Sequence, residues 1–496
     1  MKNKTTFLFS ILVILSVLLT ACAPAAATPA GQAATAAPAS GDKVITWSTI
    51  AGFYTDWAEQ VAKDFEAQTG YKVNIVKMDL PTMYEKESLD MVGGTGAYDV
   101  ITWNVSWKAG WANAGNLVAL DDYIAKEDPK ELNFGDITPI LVKTGGYWEG
   151  KTYGLPYYTY TQGMFYRADL FEDPTEMAAF EAKYGYKLDI PKTYDQMADI
   201  AQFFRRKPGE TLKGKTLDHD FYGIGTMGGK FTNLFDEVNM IAWGMGGDVL
   251  NNDGTPAVNS AAYVKALDYD VNKLLPYAPP GSLTGSYDFV VGQLNSGLIA
   301  MTGPFYLDQW ANAVKTETLI PGSEVAAAPN PSGGRVWAGA FNIGISKGSK
   351  NPDMAWQFIK FITSAKTQRA FAEGGGSAIR DSIMNDKAFY TANRSTAGAF
   401  PVIAQINAWA DKCWYTNMIY TPTVDKIYEE APQWLSAAVT KQSTPQQAMD
   451  GFAKAITDLC GGKACVIKNE GVVMPDANAP ACSFNFDRNL QVRMNP

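Results

Sequence analysis

The hydrophobic positions at the start of the folded part of the chain alternate between the periods of strands and helices. Lys43–Trp47 and Tyr98–Trp103 are short, mostly apolar runs, and Tyr71–Ile75 alternates between apolar and polar residues, as strands do. Asp56–Thr69 carries a large apolar side chain every fourth residue, which predicts an amphipathic helix that is stopped by Gly70. This β-α-β order predicts an α/β fold with a parallel sheet, in which ligands bind beyond the carboxyl ends of the strands.

Two later segments predict helices that belong to the scaffold. Thr193 can cap a helix over 194–206, whose large apolar residues share one face. Asn351 and Pro352 can supply the cap and the first residue of another helix, whose apolar positions continue to Ile362. We interpret both helices as parts of the scaffold.

The first 22 residues have the pattern of an export signal. Lys2 and Lys4 precede a mostly apolar run over Phe7–Leu19, which is too short to remain as a membrane-spanning helix. Leu-Thr-Ala then leads into Cys22, which resembles the lipobox of bacterial lipoproteins, where the cysteine becomes the acylated first residue of the mature chain. We predict a signal peptide over 1–21, then the acylated cysteine and a flexible linker over 22–41. An ordinary signal peptide with a chance cysteine is the alternative.

Composition and charge exclude several classes of function. The chain has 42 basic and 51 acidic residues and a net charge of −9, with no basic patch, so we do not expect nucleic acid as a partner. His219 is the single histidine, which excludes a histidine-rich zinc site and restricts any Ser-His-Asp triad to this one residue. No phosphate-binding loop, nucleophile elbow or metalloprotease motif is present. We predict no catalytic residue, no metal site and no cofactor, and interpret His219 as a solvated loop residue.

Four cysteines follow Cys22, all in the last fifth of the chain: Cys413, Cys460, Cys465 and Cys482. In an exported protein, an even number of clustered cysteines predicts two disulfides, for which three connectivities exist. Cys460 and Cys465 can close a small loop with each other, or each can pair with one of the other two cysteines. A four-cysteine metal site is disfavoured because paired Cys-x-x-Cys motifs are absent.

Several short phrases occur in a characteristic order over about 45–385. They are Tyr98-Asp99-Val100, Gly115 to Tyr123 (GNLVALDDY), Gly150 to Tyr157 (GKTYGLPY), Phe165 to Phe171 (FYRADLF), Pro191 to Tyr194 (PKTY), Trp243 to Gly247 (WGMGG), Gly297 to Phe305 (GLIAMTGPF), and Ser346 to Pro352 (SKGSKNP) followed by Ala355 to Ile362 (AWQFIKFI). Each phrase alone is weakly specific. In this order they resemble the extracellular solute-binding proteins of ABC importers, specifically the sugar-binding group related to maltose-binding protein.

The resemblance implies a two-lobed fold of the periplasmic-binding-protein type (type II), with a ligand cleft between the lobes and hinge crossings that join them. It implies a first lobe over 42–156 plus about 335–363, and a second lobe over 157–334 plus about 364–459. The first crossing is expected near Leu155-Pro156-Tyr157. Residues 460–496 remain as a cysteine-containing C-terminal extension, to which the resemblance assigns no role.

A sugar presents apolar faces and hydroxyl groups, so a selective site combines aromatic side chains with a few hydrogen-bonding groups. Trp103 is expected in a loop just past a strand, and Phe305 occupies the place where the family often carries a stacking tryptophan. We interpret Trp57 and Trp356 as packing residues. The predicted ligand contacts are Ser48, Trp103, Asn104, Tyr157, Tyr158, Asp236, Trp243, Phe305, Trp337, Phe341 and Arg380.

These features together predict a substrate-binding lipoprotein that is anchored through Cys22 at the extracytoplasmic face of the cell membrane. We expect it to be a monomer that captures a sugar or polyol and delivers it to the transmembrane subunits of an ABC permease, and we do not expect it to be an enzyme. An anchored glycoside hydrolase, which needs two carboxylates across a glycosidic bond, is one alternative. A surface carbohydrate-adhesion module is another, and a glycerol phosphate ester is the alternative ligand.

Overall fold

The strands of the chain gather mainly into two sheets. The computed structural model describes residues 43–52, 57–315, 317–331, 338–413, 416–469 and 486–494, which lie within one unit over 40–496. The strands are β1 (Val44–Ile50), β2 (Lys72–Met78), β3 (Val100–Asn104), β4 (Tyr147–Trp148), β5 (Lys151–Thr152), β6 (Gly154–Thr159), β7 (Gln162–Arg167), β8 (Thr211–Leu212), β9 (Lys215–Thr216), β10 (Tyr222–Gly225), β11 (Ile299–Thr302), β12 (Phe305–Tyr306), β13 (Val325–Ala328), β14 (Ala340–Ile345) and β15 (Arg493–Met494).

The first sheet has the strand order β2-β1-β3-β14-β6. The parallel pairing of β1 with β2 and β3 confirms the prediction from the β-α-β order, whereas β14 runs antiparallel to β3 and β6. On one face, the ring of Phe358 lies 5.3 Å from that of Trp47 and 5.2 Å from that of Phe65. The predicted strand and helix therefore pack together through the apolar residues that identified them.

The second sheet has the strand order β10-β11-β7-β13-β15, and β12 also pairs with β7. Its last strand, β15, comes from the C-terminal extension and runs antiparallel to β13. The Gln491 side chain donates a hydrogen bond to the Ala327 carbonyl (2.7 Å), and Arg493 donates to the Glu172 carboxylate (2.6 Å). Part of the extension is thus an edge strand of this sheet.

The helices cover both sheets and begin or end at residues suited to those positions. They are α1 (Ala58–Thr69), α2 (Leu80–Gly93), α3 (Val105–Asn113), α4 (Asp121–Ile124), α5 (Pro129–Leu132), α6 (Pro139–Gly145), α7 (Ala168–Phe171), α8 (Pro174–Tyr184), α9 (Tyr194–Phe204), α10 (Thr232–Gly244), α11 (Ala261–Tyr269), α12 (Tyr287–Asn295), α13 (Trp310–Ala313), α14 (Pro352–Thr363), α15 (Ala365–Glu373), α16 (Asp381–Met384), α17 (Lys387–Ala392), α18 (Arg394–Ala397), α19 (Phe400–Cys413), α20 (Val424–Val439) and α21 (Pro445–Leu459).

The predicted helix caps are confirmed at two of three positions. The Thr193 hydroxyl accepts a hydrogen bond from the Gln196 amide at the start of α9, and α1 ends at Gly70 with a φ of 72°. Asn351 does stand before α14, but its side chain does not cap the helix. It donates to the Val44 carbonyl (3.2 Å), because the start of β1 lies within its reach.

The chain crosses from the first sheet to the second at Tyr160 and Thr161, between β6 and β7. The resemblance places this crossing near Leu155-Pro156-Tyr157, but Leu155 and Pro156 still pair with β14 inside the first sheet. The return crossing lies between β13 and β14, and it includes residues 332–337, which fall outside the described residues.

The C-terminal extension begins with a small loop closed by a disulfide between Cys460 and Cys465, whose Cα atoms are 5.1 Å apart. The Cys465 amide donates to the Gly254 carbonyl (2.8 Å), and the Lys468 ammonium lies 3.0 Å from the Glu149 carboxylate. The side chain of Cys413 and the whole of Cys482 are outside the described residues. Within the described ranges, none of the helices combines the length and the apolar character that a membrane crossing requires.

Candidate functional site

Asp236, on α10, binds two tyrosines from distant parts of the chain. Its Oδ2 accepts a hydrogen bond from the Tyr306 hydroxyl (2.6 Å), and its Oδ1 accepts one from the Tyr428 hydroxyl (2.8 Å). Asn233 Nδ2 donates to the Tyr306 oxygen (2.9 Å) from the same helix. Burial raises the pKa of the Asp236 carboxyl to about 6, and the two tyrosine hydrogen bonds only partly oppose that rise.

Tyr160 connects this group to the first sheet. It lies in the crossing segment, and its hydroxyl donates to Asn104 Oδ1 (3.2 Å) at the carboxyl end of β3. Burial, followed by the charge of Asp236, raises the pKa of the Tyr306 and Tyr428 hydroxyls, and Tyr160 adds to both rises because it is nearby. We call Asn104, Tyr160, Asp236, Tyr306 and Tyr428 the tyrosine–aspartate cluster. Its members come from both sides of the crossing.

Gly339 and Phe341, at the start of β14, hold the ring of Tyr160 in place. The Tyr160 amide donates to the Gly339 carbonyl (3.0 Å), and a Cβ atom on Gly339 would lie 1.9 Å from the Tyr160 ring. Phe341, on β14, packs against the same ring with 5.2 Å between centroids. Glycine is therefore required at 339 for the tyrosine to occupy this position.

Helix α20 makes a second contact across the molecule, close to the cluster. Asp425, three residues before Tyr428, accepts a hydrogen bond from the Tyr84 hydroxyl of α2. The ring of Tyr84 lies 5.1 Å from that of Trp107 and 5.9 Å from that of Trp111, and Trp107 is partly exposed. Aromatic faces beside carboxylate, amide and phenol groups can bind a molecule that has both C–H faces and hydroxyl groups.

Two of the predicted contact residues, Asn104 and Asp236, are members of the cluster. Phe341 is not a member, but its ring packs against that of Tyr160. Tyr158 lies on the first sheet, and its hydroxyl donates to Asp308 Oδ2 (2.5 Å), which follows β12. Tyr158 is fully buried, and this hydrogen bond joins the first sheet to the segment that follows β12.

Two of the predicted aromatic contacts lie in the core of the first lobe. Trp103 belongs to β3, not to the loop after it, and its indole Nε1 donates to the Gly145 carbonyl (2.9 Å). Tyr157 is also fully buried, with its hydroxyl 3.2 Å from the Thr49 hydroxyl. These rings are enclosed by the first sheet and its helices, where a ligand has no access.

Two other predicted aromatic contacts are buried in the second lobe. Phe305 packs against Phe165, with 6.0 Å between ring centroids. Trp243 is buried on α10, and its Nε1 donates to Asp248 Oδ1 (3.1 Å). Both side chains position the elements that carry Tyr306 and Asp236.

The remaining predicted polar contacts satisfy buried groups away from the cluster. The Ser48 hydroxyl donates to the buried Glu87 carboxyl. Arg380 donates to the carbonyls of Thr363 (2.7 Å) and Leu132 (3.1 Å), and it is 1% exposed. Trp337, like the lipidation candidate Cys22, lies outside the residues that the structure describes.

Sequence reasoning missed Tyr160, Tyr306 and Tyr428. Tyr160 follows Tyr158 by two residues, and Tyr306 follows Phe305 directly, so strand alternation was a usable signal for both. Tyr428 lies on α20, beyond the part of the chain where the resemblance is clear, and only the packing of α20 against α10 brings it to Asp236.

The two sheets, the crossings and the cluster between them define a two-lobed solute-binding protein. The chain belongs to the family described as bacterial extracellular solute-binding protein, whose model matches residues 51–369. The mannitol-binding protein of Pseudomonas aeruginosa is 23% identical over 353 residues, which are 68% of this chain and 73% of that protein.

Solved structures of this fold are similar over most of the chain. An ABC transporter solute-binding protein from Agrobacterium radiobacter K84 in complex with ribitol is 24% identical, with a TM-score of 0.71, and the match covers 85% of this chain and 100% of that one. Maltose-bound MalE3 of T. maritima is 22% identical, with a TM-score of 0.66, and the match covers 84% and 99% of the two chains.

Proposed function

We propose that this protein captures a neutral sugar or polyol between its two lobes and delivers it to the permease of an ABC importer. The observation that carries the proposal is the tyrosine–aspartate cluster. In it, Tyr160, which bonds Asn104 of the first sheet, lies near Tyr306 and Tyr428, which both bond Asp236 of the second lobe. A ligand that contacts both lobes stabilises the closed arrangement and shifts the population toward it. The permease then receives the loaded, closed form.

The chemistry of the cluster supports a neutral ligand with several hydroxyl groups. It offers a carboxylate, an amide and three phenols, and it contains no lysine or arginine, so an anionic ligand would meet Asp236 without a compensating charge. The partly exposed Trp107 supplies an apolar face. The names of similar proteins, which include mannitol, ribitol and maltose, support the same class of ligand.

We also propose that the protein binds its ligand without catalysing a reaction on it. Hydrolysis of a glycosidic bond needs one carboxylate that protonates the leaving oxygen and a second that attacks or activates water. Asp236 and Asp425 each accept a tyrosine hydrogen bond instead. We further propose that the protein is a monomer held at the extracytoplasmic face of the membrane by the acylated Cys22.

A thermal-shift screen of the exported protein tests the ligand class. Ribitol, mannitol, maltose, glycerol phosphate and amino acids are the candidates, and a ligand at 100 times its Kd should add about 2.7 kcal/mol of stability. Tyr428→Phe should lose at least part of that gain, because it removes a hydroxyl from the cluster. Tyr184→Phe is the matched control, since its hydroxyl bonds Gln202 on an exposed surface. If sugars and polyols leave the midpoint unchanged while glycerol phosphate or an amino acid raises it, the proposal fails.

A further inference from the structure

A cavity of about 330 Å³ lies apart from the tyrosine–aspartate cluster, where α6, α16, α19 and the C-terminal extension meet. Thr138 and Pro139 at the start of α6, Asp381 on α16 and Leu490 of the extension contribute to its wall, and no cluster residue does. Its volume is within the range of small-molecule sites. The proposed sugar site therefore leaves this cavity unexplained.

Asn407, on α19, is an incompletely bonded polar residue in the wall of this cavity. It is 1% exposed, and its Oδ1 accepts a hydrogen bond from the Thr161 hydroxyl (2.6 Å). Its Nδ2 is buried and has no hydrogen-bond partner among the described residues. If the amide were turned so that its nitrogen and oxygen exchanged places, the oxygen would lack a partner instead. One of the two polar atoms of Asn407 therefore lacks a hydrogen bond in either orientation. Buried polar groups in proteins are nearly always bonded, so Asn407 points to a ligand.

The other polar groups of the wall include donors, such as the Lys412 ammonium and the Tyr390 hydroxyl, and several acceptors. Gln405 Oε1 is buried and lacks a donor within the described part of the chain. Asp381 uses Oδ1 to accept from the Thr138 hydroxyl (2.7 Å), and Asp411 uses Oδ1 to accept from Lys143 (2.7 Å). Burial, reinforced by nearby carboxylates that include Asp411, raises the pKa of Asp381. The wall thus combines a buried amide donor with several acceptors.

These groups select one chemical class of ligand. A hydroxyl group can accept from Asn407 Nδ2 and donate to Gln405 or a carboxylate, whereas an apolar molecule would leave all of them unpaired. An anion would meet the two carboxylates of Asp381 and Asp411 against the single ammonium of Lys412 in the wall, since Lys143 is already paired with Asp411. A bare cation could not accept from an amide N–H. We propose that this cavity is a second binding site for a small neutral molecule that carries several hydroxyl groups.

The test follows the side-chain amide of Asn407 by ¹⁵N NMR while xylitol or D-glucose is added to the full exported protein. Asn407→Asp assigns the signal by removing it. We expect a saturable shift in the wild type and in Asp236→Asn, a change in the cleft. Ala408→Phe should weaken it at least about tenfold, because Ala408 lines the cavity and is exposed, so a phenyl ring there fills the cavity without disturbing the core.

Ala179→Phe is the matched control, because Ala179 is an exposed alanine on α8, away from the cavity, and it should leave the shift unchanged. If Ala408→Phe does not fold, Gln405→Met serves in its place, since it removes the acceptor and keeps the length of the side chain. A signal that does not move with either probe would overturn the proposal. So would a shift that persists in the cavity variant or disappears in Asp236→Asn, since it would then report binding in the cleft alone.

Discussion

At the scale of one residue, the surroundings of Asp236 determine the pKa of its carboxyl group. Two tyrosine donors favour its charged form, yet burial dominates and raises its pKa to about 6. Because the folded pKa exceeds that of the unfolded chain, the stability that this group contributes is present in acid and is lost as the pH rises through about 6. A ligand hydroxyl that donates to the carboxylate needs the opposite, charged form.

Ligand affinity should therefore fall in acid. Between pH 7 and pH 5 we expect Kd for the ligand found in the screen to rise about tenfold, because the charged fraction of Asp236 falls to about a tenth one unit below its pKa. Titration calorimetry across this range measures the change. Asp236→Asn should bind weakly and without this dependence. Asp199→Asn is the control: Asp199 lies outside the cluster and accepts a hydrogen bond from the Tyr186 hydroxyl. This variant should keep the pH dependence of Kd. Unaltered pH dependence in Asp236→Asn would contradict the assignment.

At the scale of elements, the first sheet is built around an indole ring. The ring of Trp103 on β3 lies against β14 and β6, since Cβ atoms on Gly344 of β14 and Gly154 of β6 would come within 2.4 Å and 2.3 Å of it. Glycine at both positions leaves room for the ring, which can then donate to the Gly145 carbonyl. This packing explains why an aromatic residue at the end of a strand serves the core.

Gly154→Ala should lower the stability of the protein by about 1–3 kcal/mol, because the added methyl group overlaps a ring that is enclosed on all sides. Thermal and denaturant unfolding measure the loss. Gly292→Ala on α12 is the control: its Cβ would meet no atom within 4 Å, so the change should be neutral or stabilise the helix. Ligand affinity at a temperature where both variants are folded should stay at the wild-type level. Equal stability of the two variants would show that Trp103 can move.

At the scale of the whole molecule, the lobes are joined by the crossing at Tyr160 and Thr161, by the return crossing and by contacts of the extension. In the extension, the Cys465 amide donates a hydrogen bond to the Gly254 carbonyl. Lys468, three residues after Cys465, donates one to the Glu149 carboxylate. The predicted tether over 22–41 adds a connection to the membrane. A flexible tether keeps a receptor at high local concentration beside its permease, within the reach of the linker.

Cys22→Ser should move the protein from the membrane fraction to the soluble fraction of expressing cells, because serine cannot carry the thioether-linked lipid. Ligand affinity should not change, since the cluster lies more than 80 positions further along the chain. Fractionation with detection of the protein measures the first effect, and calorimetry measures the second. Cys413→Ser is the matched control and should remain in the membrane fraction. Retention of Cys22→Ser there would refute lipid anchoring.

Local sequence signals predicted much of the scaffold. The first three strands of the first sheet, the helix between β1 and β2, the Thr193 cap and the stop at Gly70 follow from periodicity and from backbone groups within a few residues. The order of the family phrases predicted the two lobes. The sequence allows three disulfide connectivities among the four cysteines, and only spatial proximity joins Cys460 to Cys465.

The sequence by itself thus determined the class of protein and several of its strands and helices, and it singled out two members of the cluster, Asn104 and Asp236. Only the tertiary structure decided that Trp103 is enclosed and that Tyr160, Tyr306 and Tyr428 converge. The physical reason is that strand and helix periods depend on neighbouring residues, whereas a binding site depends on which side chains meet across the crossing. That meeting is set by packing between segments that are 56 to 192 residues apart in the chain.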